Sequence, residues 1–227
     1  FSSSSFSSSS SSFHRDGPET YALFHYPCAL ATDPMGENIY VSDTYSHTIR
    51  KISLKADGVD QGSSCHVTTI AGVPGNAGEC DGEASIAKFR YPGGIVCGSQ
   101  GEIYVADTFN HKIRMIHPSL ASTPSSSSSS KPSVAMVVTT IAGHTRRRNN
   151  DGPGTMANFS YPFGITIMKK SEGGGDSTLL VTQGTFLPAK HSAPAIRMIK
   201  KKNKRTTPIT TSPFRGSSSS SSSIREM

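Results

Sequence analysis

Short apolar runs separated by polar turns recur along the chain. Residues 101–116 (GEIYVADTFNHKIRMI) contain an apolar run, a polar turn and a second apolar run, and residues 37–52 (ENIYVSDTYSHTIRKI) are a near copy. Two short apolar runs joined by a polar turn predict a β-hairpin. A hairpin that recurs along a chain indicates a repeat architecture. No helical periodicity or capped helix competes with this pattern inside the repeated blocks.

Three blocks begin with the same Asp-Gly and Tyr-Pro pairs. The aspartate and the proline are eleven positions apart in each block, at Asp16 and Pro27, Asp81 and Pro92, and Asp151 and Pro162. Because the sequences between these openings differ in length, the constant spacing indicates one structural unit. The unit, with its inserts removed, approaches the ~40–50 residues of a propeller blade.

Each block predicts four short strands. In blocks one, two and three the first strand is predicted at 28–32, 93–97 and 163–168. The second strand is predicted at 38–42, 102–106 and 178–182, and the third at 48–53, 112–116 and 195–200. The fourth strand is predicted at 67–72 and 138–143, where the letters VTTIAG occur twice. In the third block Pro208 interrupts 207–211, and proline donates no ladder hydrogen bond, so we expect a poor fourth strand there.

The second strand of each block is apolar on both faces, which predicts that both faces are covered. In a radial array each blade is covered by its neighbours. We therefore expect an all-β chain with blades at 13–80, 81–150 and 151–212, the third being degenerate. Nearly pure serine tracts at 1–12, 125–130 and 217–223 have no apolar surface to bury. They predict disordered ends at 1–12 and 213–227 and a disordered insert at 118–133.

The second block carries Tyr-Pro-x-Gly-Ile and then Gly-x-Ile-Tyr-Val-Ala-Asp-Thr-x-Asn-His-x-Ile-Arg, and this pattern resembles the NHL repeat. Block one departs from it with Ala29 and Ser46, and block three has Gln183 at the turn aspartate and no Asn-His pair. The resemblance spans about 16–200. It implies a β-propeller of four-stranded blades, of which three are visible here, as a partial propeller or half of a six-bladed ring.

The same resemblance implies a function. Many NHL repeat proteins are interaction scaffolds, so we expect a non-enzymatic scaffold that binds a protein partner. Some relatives bind RNA through a basic face, which makes an RNA or anionic-surface binder the alternative. A few are similar in fold to enzymes, so a lyase or hydrolase with an unidentified site is a second alternative. Function on such a fold depends on surface sites rather than on the repeat itself.

The net charge of +7 is concentrated in two runs. The candidate basic loops contain Arg146, Arg147 and Arg148, and then Lys200, Lys201, Lys202, Lys204 and Arg205, and Arg197 begins the second run. Clustered cations can hold phosphate or an acidic surface. Charge runs are more often simply solvated, which is the favoured interpretation here.

A polar set recurs at the turn between the second and third strands. It comprises Asp43, His47 and Arg50 in block one and Asp107, His111 and Arg114 in block two. An Asp and a His four residues apart could form a metal or acid–base pair. A set that repeats with the fold is more typical of a structural role, in which the carboxylate accepts backbone N–H groups of its turn. We expect the histidine and the arginine to bridge to a neighbouring blade.

Other chemistry finds little support in the sequence. The first strands, which would line a central channel, offer too few histidines and carboxylates for zinc or calcium. No phosphate loop opens a helix and no serine is paired with a base, so we expect no catalytic residue, no metal and no cofactor. The four cysteines show no CxxC spacing, and half-buried thiols are expected, although a bridge between Cys65 and Cys80 stays open for a secreted chain. No apolar run is long enough for a transmembrane segment.

Three blades would make an open arc. Such an arc leaves one apolar face of 39–41 and one of 179–181 without a neighbour, and exposed faces of this kind favour association. We therefore expect either further blades in a longer propeller or self-association of two copies.

Overall fold

The computed structural model describes residues 13–54, 65–119, 135–145, 150–168, 178–184, 195–200 and 210–213. Over these residues the chain forms fifteen strands in three antiparallel sheets, together with three single-turn 3-10 helices. The serine tracts lie outside the described residues. Among the residues that are described, no helix is long and apolar enough to cross a membrane.

Each sheet has five strands and is built from one sequence block. The first sheet has the order β1-β5-β4-β3-β2, with β1 Gly17–Pro18, β2 Pro27–Thr32, β3 Asn38–Asp43, β4 Thr48–Ser53 and β5 His66–Ala71. The second has the order β6-β10-β9-β8-β7, with β6 Gly82–Glu83, β7 Pro92–Cys97, β8 Ile103–Asp107, β9 Lys112–Pro118 and β10 Met136–Gly143. The third has the order β11-β15-β14-β13-β12, with β11 Gly152–Pro153, β12 Pro162–Met168, β13 Thr178–Gln183, β14 Ala195–Lys200 and β15 Thr210–Pro213.

The four predicted strands of each block are present, but the prediction of four-stranded sheets missed one strand per block. The missing strand begins at the glycine of the Asp-Gly opening, and its two residues pair with the fourth strand, as Gly82 does with Val138. A two-residue strand has no periodicity that a sequence pattern could show. The fourth strand of block three also differs from the expectation, because it lies at Thr210–Pro213, beyond Pro208.

Neighbouring sheets pack face to face, with β2 against β7 and β7 against β12. Ile49 of the first sheet shares one apolar cluster with Phe89 and Val105 of the second. Ile113 of the second sheet shares another with Val181 of the third. Every residue of β8 is buried, as the apolar pattern of the second strand predicted for a blade with two neighbours. The sheets are therefore consecutive blades of a β-propeller, here called blades one, two and three.

The glycine that ends the repeated VTTIAG segment is required for a steric reason. Gly72 and Gly143 have φ values of +96° and +100°, a region that favours glycine. A Cβ at Gly72 would lie 2.6 Å from the carbonyl oxygen of His47, and one at Gly143 would lie 2.4 Å from that of His111. The end of the fourth strand therefore packs directly on the turn that carries the repeated polar set.

Candidate functional site: a buried polar frame and an aromatic row

Arg114 on β9 is the centre of a buried polar cluster in blade two. Its Nη1 donates to Asp107 Oδ2 at 2.8 Å, and its Nη2 lies 2.6 Å from Asp81 Oδ1. The backbone carbonyls of Lys88 and Cys80 accept two further hydrogen bonds. Arg114 and Asp107 are both fully buried. A charge in such a place is tolerated only when it is paired and hydrogen-bonded, as these four partners of the two Nη atoms provide.

Arg50 occupies the same position in blade one. It lies 3.0 Å from Asp43 Oδ2 and 2.6 Å from Asp16 Oδ1, and it donates to the carbonyl of Leu23 at 2.9 Å. His14 adds its Nδ1 at 3.5 Å from the Asp43 carboxylate. The two blades thus hold their arginines in the same way, between a turn aspartate and the aspartate that opens the block.

Arg197 takes this position in blade three, which corrects its assignment to the basic run. Its side chain is almost fully buried and its Nη2 lies 2.6 Å from Asp151 Oδ1. Gln183 stands where the other blades have the turn aspartate, and its Oε1 accepts the Ser160 N–H at 3.3 Å. The glutamine therefore keeps the backbone hydrogen bond of the turn aspartate without supplying a charge for the arginine.

The opening aspartates also hold the fourth strand, a role that the sequence analysis missed. Asp16 Oδ2 accepts the Thr69 N–H at 2.8 Å, and Asp81 Oδ2 accepts the Thr140 N–H at 2.9 Å. Burial acts to raise the pKa of Asp16, but hydrogen bonds from Thr69 and the Arg50 charge outweigh it and hold that pKa below its ordinary value. In the sequence, the constant aspartate-to-proline spacing and the repeated threonines were the signals that could have revealed this role.

The two turn aspartates differ in proton affinity. Burial raises the pKa of Asp107 to about 6, although the Arg114 charge and the Arg90 amide act against the increase. Burial acts on Asp43 too, but hydrogen bonds from His14 and from the His25 amide hold the pKa of Asp43 below its ordinary value. The sequence has Glu79 at the position equivalent to His14 in block two. The arginine beside each carboxylate, Arg50 for Asp43 and Arg114 for Asp107, acts to lower its pKa.

The repeated histidines link consecutive blades. His47 Nδ1 accepts the Tyr91 N–H and His111 Nδ1 accepts the Tyr161 N–H, each at 3.2 Å. Each imidazole also meets the same tyrosine ring edge-on, with centroids 4.6 and 4.7 Å apart. Burial, with the nearby Arg90 charge, lowers the pKa of His47, which favours the neutral ring that an accepting Nδ1 needs.

Among the described residues, the hydrogen bonds and ion pairs of Arg50 and Arg114 differ from the expected inter-blade bridges. They run to groups of the arginines' own blocks: Arg50 to Asp43, Asp16 and Leu23, and Arg114 to Asp107, Asp81, Lys88 and Cys80. The recurrent set thus divides in two, with the arginines bonded within a blade and the histidines bonded across blades.

Seven aromatic side chains form a continuous row across the three blades, here called the aromatic row. Its members are Phe13, His25, Tyr26, Tyr45, Tyr91, Phe109 and Tyr161, with neighbouring ring centroids 4.8 to 5.5 Å apart. Tyr26, Tyr45 and Phe109 are 68%, 47% and 42% exposed. The row alternates tyrosines of the Tyr-Pro pairs with the middle residues of two 3-10 turns. It was not predicted from the sequence.

The basic loops cannot be placed on this surface. Lys200 is exposed at the end of β14. The other members, Arg146, Arg147, Arg148, Lys201, Lys202, Lys204 and Arg205, lie outside the described residues.

The cysteines and candidate metal ligands offer no further centre within the described residues. There, no group of three or more His, Cys, Asp or Glu side chains could hold a metal ion. All four cysteines are described, and no disulfide joins Cys65 to Cys80. Cys28 and Cys80 are exposed rather than half-buried. Burial raises the pKa of the Cys97 thiol to about 11, which keeps it protonated near neutral pH.

The packed antiparallel sheets and their repeated turns define the chain as a β-propeller repeat protein. The family model described as NHL repeat matches residues 89–114, from Phe89 to Arg114. NHL repeat-containing protein 2 from Bos taurus is 34% identical over 103 residues, which cover 44% of this chain and 13% of that protein. Residues 89–114 therefore carry an NHL repeat.

Two further proteins are similar over a longer stretch. Protein SUPPRESSOR OF QUENCHING 1, chloroplastic, from Arabidopsis thaliana is 26% identical over 153 residues, which cover 66% of this chain and 13% of that protein. A crystal structure of an auxiliary nutrient binding protein from Bacteroides ovatus superimposes with a TM-score of 0.50 at 18% identity, over 67% of this chain and 33% of that one. The match shares the fold alone. The chain thus spans only 13% of the length of these two curated relatives.

Proposed function

We propose that the protein is a non-enzymatic NHL-repeat scaffold that binds a protein partner through the aromatic row. The exposure of Tyr26, Tyr45 and Phe109 within one unbroken row carries the proposal. Single exposed apolar residues are ordinary, but contiguous apolar patches mark interaction sites. Tyrosine and other aromatic rings are enriched among the residues that dominate binding energy at interfaces.

The buried polar clusters around Arg50 and Arg114 support a non-enzymatic role. Arg50, Asp107 and Arg114 have no exposed surface, so a substrate has no access to them. The Nδ1 atoms of His47 and His111 already accept backbone hydrogen bonds. The groups that look most like a catalytic set in the sequence are thus occupied, the arginines and aspartates within a blade and the histidines between blades.

Paired variants test this proposal. Tyr45→Ser with Phe109→Ser removes two exposed rings from the row. Ile86→Ser is the control, because Ile86 is 61% exposed and lies outside the row. Proteins that copurify with each variant are quantified by mass spectrometry, after circular dichroism has shown that all variants are folded. We expect at least one partner to be reduced about tenfold by the row variant, a loss of about 1.4 kcal/mol, and unchanged by the control. If no copurifying protein depends on the row, the proposal is wrong.

Single-stranded RNA is the second candidate, because bases stack on exposed aromatic rings at about 1–3 kcal/mol per base. Arg90 is exposed and precedes Tyr91 of the row, so a cation accompanies the rings. The test measures binding of an oligouridine at about 50 and about 200 mM salt, since phosphate contacts make affinity fall with salt. The row variant and the triple variant Arg146→Ala, Arg147→Ala, Arg148→Ala are compared with the unchanged protein. Equal weak binding by all three would reject this candidate.

A further inference from the structure

The aromatic row differs from the other exposed apolar surface of blade one because polar groups accompany it. Elsewhere on that blade Leu30 is 68% exposed, whereas Val41, expected on a bare face of the arc, is buried. In the row, the hydroxyls of Tyr26, Tyr45 and Tyr91 have no hydrogen-bond partner among the described residues. Each hydroxyl is therefore available to donate a hydrogen bond to a molecule that binds on the rings.

The backbone groups at the two turns of the row are already hydrogen-bonded within the chain. The Tyr45 N–H donates to the His25 carbonyl at 3.0 Å, and the Phe109 N–H donates to the Arg90 carbonyl at 3.1 Å. A partner that binds by adding a β-strand needs unpaired backbone groups, and these two pairs are occupied. Recognition by the row therefore depends on the rings and the tyrosine hydroxyls.

Successive rings of the row are steeply tilted against one another. From Tyr26 through Tyr45, Tyr91 and Phe109 to Tyr161, the interplanar angles are 44°, 80°, 55° and 73°. The row thus presents ridges with clefts between them, and aromatic-lined clefts are the surfaces on which proline-rich segments dock. The four ring-to-ring steps amount to about 20 Å, which a polyproline II helix covers with about six residues at ~3.1 Å per residue.

Arg90 adds a positive charge beside the middle of the row. It is exposed and immediately precedes Tyr91. Burial, and then the Arg90 charge, lower the pKa of His47, whose ring meets the Tyr91 ring edge-on with centroids 4.6 Å apart. The turn aspartates Asp43 and Asp107 are fully buried, so their carboxylates are not exposed beside the rings. The exposed charge next to Tyr91 is therefore positive and complements an acidic side chain.

We propose that the partner segment held by the aromatic row is a proline-rich stretch of about six residues in the polyproline II conformation, with an acidic residue that pairs with Arg90. Proline has a carbonyl acceptor but no N–H, so such a segment accepts hydrogen bonds from the tyrosine hydroxyls and needs few acceptors in return. Its preformed conformation also limits the entropy lost on binding. The proposal rests on the proposed function, because it names the chemistry of the partner that the row binds.

Selection from a random peptide library identifies the preferred chemistry without assuming it. Phage that display peptides of about twelve residues, twice the length that the row can hold, are selected on the immobilised full chain. The same library is selected on the row variant, Tyr45→Ser with Phe109→Ser, and on the Ile86→Ser control, which keeps the row. Circular dichroism first establishes that all three chains are folded.

Row-dependent peptides are those retained by the unchanged chain and by Ile86→Ser but not by the row variant. We expect them to be enriched in proline at least about threefold over the library and to contain an acidic residue. Row-dependent peptides without proline enrichment, with the apolar spacing of a strand or a helix, would overturn this proposal and leave the proposed function standing. The absence of any row-dependent peptide would also overturn it, and the copurification experiment then decides the proposed function separately.

The peptide that is most enriched tests the hydroxyls and the charge one at a time, by fluorescence anisotropy. Tyr45→Phe with Tyr91→Phe keeps both rings and removes two donors, and it should weaken binding about tenfold. Arg90→Glu should weaken binding by about the same factor, and a peptide with lysine in place of its acidic residue should recover it. Unchanged affinity of the phenylalanine variant would overturn the recognition of carbonyls by the hydroxyls, and unchanged affinity of Arg90→Glu would overturn the acidic pairing.

Discussion

The guanidinium of Arg114 lies 2.8 Å from Asp107 Oδ2, and neither side chain is exposed to solvent. Asp107 ends β8 and Arg114 lies in the middle of β9, so the pair closes the hairpin from within. Asp81, which opens the block, joins the same guanidinium at 2.6 Å. One arginine thus connects the opening of the block to the turn, and Asp81, which accepts the Thr140 N–H, extends the connection to the fourth strand.

Arg114→Met should be strongly destabilising. It leaves Asp107 buried without its cation, and breaking a buried pair in this way costs about 3–5 kcal/mol. Arg197→Met is the matched comparison in blade three, where the remaining carboxylate of Asp151 is half exposed. We expect a smaller cost there, because water can solvate that carboxylate. Urea unfolding followed by circular dichroism measures both, and equal costs would contradict the buried-pair account.

Gly143→Ala should also be destabilising, for a steric reason. The new Cβ would meet the His111 carbonyl oxygen at 2.4 Å, in addition to the strain at a φ of +100°. Gly101→Ala is the control, because Gly101 has a φ of +80° with no atom within 4 Å of the built Cβ. We expect about 1 kcal/mol at Gly101 and at least about 3 kcal/mol at Gly143. Similar thermal shifts for the two variants would show that the close packing is absent.

The pH dependence of stability should differ between the two turn aspartates. Burial raises the pKa of Asp107 to about 6, so its contribution to stability is fully present below its unfolded pKa and is lost as pH rises through 6. Relative to Asp107→Asn, the unchanged protein should therefore gain about 2 kcal/mol in free energy of unfolding when the pH falls from about 7.5 to about 4.5.

Asp43→Asn is the comparison for that measurement. The pKa of Asp43 lies below its ordinary value, so its contribution is present above the unfolded pKa and is lost only as pH falls through the lower folded value. The difference in free energy of unfolding between the unchanged protein and Asp43→Asn should therefore stay nearly constant over the same pH range. Urea unfolding of all three proteins at both pH values measures these free energies. If the two variants showed the same pH dependence, the predicted difference between Asp107 and Asp43 would be contradicted.

Much of the fold could be predicted because each block repeats its local signals. The strands of blades one and two follow from apolar runs, and the covered β8 follows from its two apolar faces. Arg197 shows where local reading failed. It was grouped with a run of cations by composition, although its place in an Ile-Arg-Met-Ile strand already matched that of Arg114. Strand register, rather than neighbouring charge, decides whether such a side chain is buried.

The aromatic row was beyond sequence reasoning for a different reason. Tyr45, Tyr91, Phe109 and Tyr161 are far apart in the chain and become neighbours only when the blades pack. Their contact depends on where one blade lies relative to the next, which no pattern within a block specifies. The hydrogen bonds from the Tyr91 and Tyr161 amides to His47 and His111 were hidden in the same way, because each donor and its acceptor belong to different blocks.

Photo-crosslinking from the aromatic row tests the central claim most directly. A photoreactive phenylalanine analogue is placed at Phe109 in one protein and at Ile86 in another, and both are irradiated in extracts of cells that make the protein. The account predicts that a discrete protein is crosslinked from position 109, competed by the unchanged chain, and is absent from position 86. Crosslinks of equal pattern from both positions, or crosslinks from position 109 to RNA alone, would contradict a protein-binding role for the row.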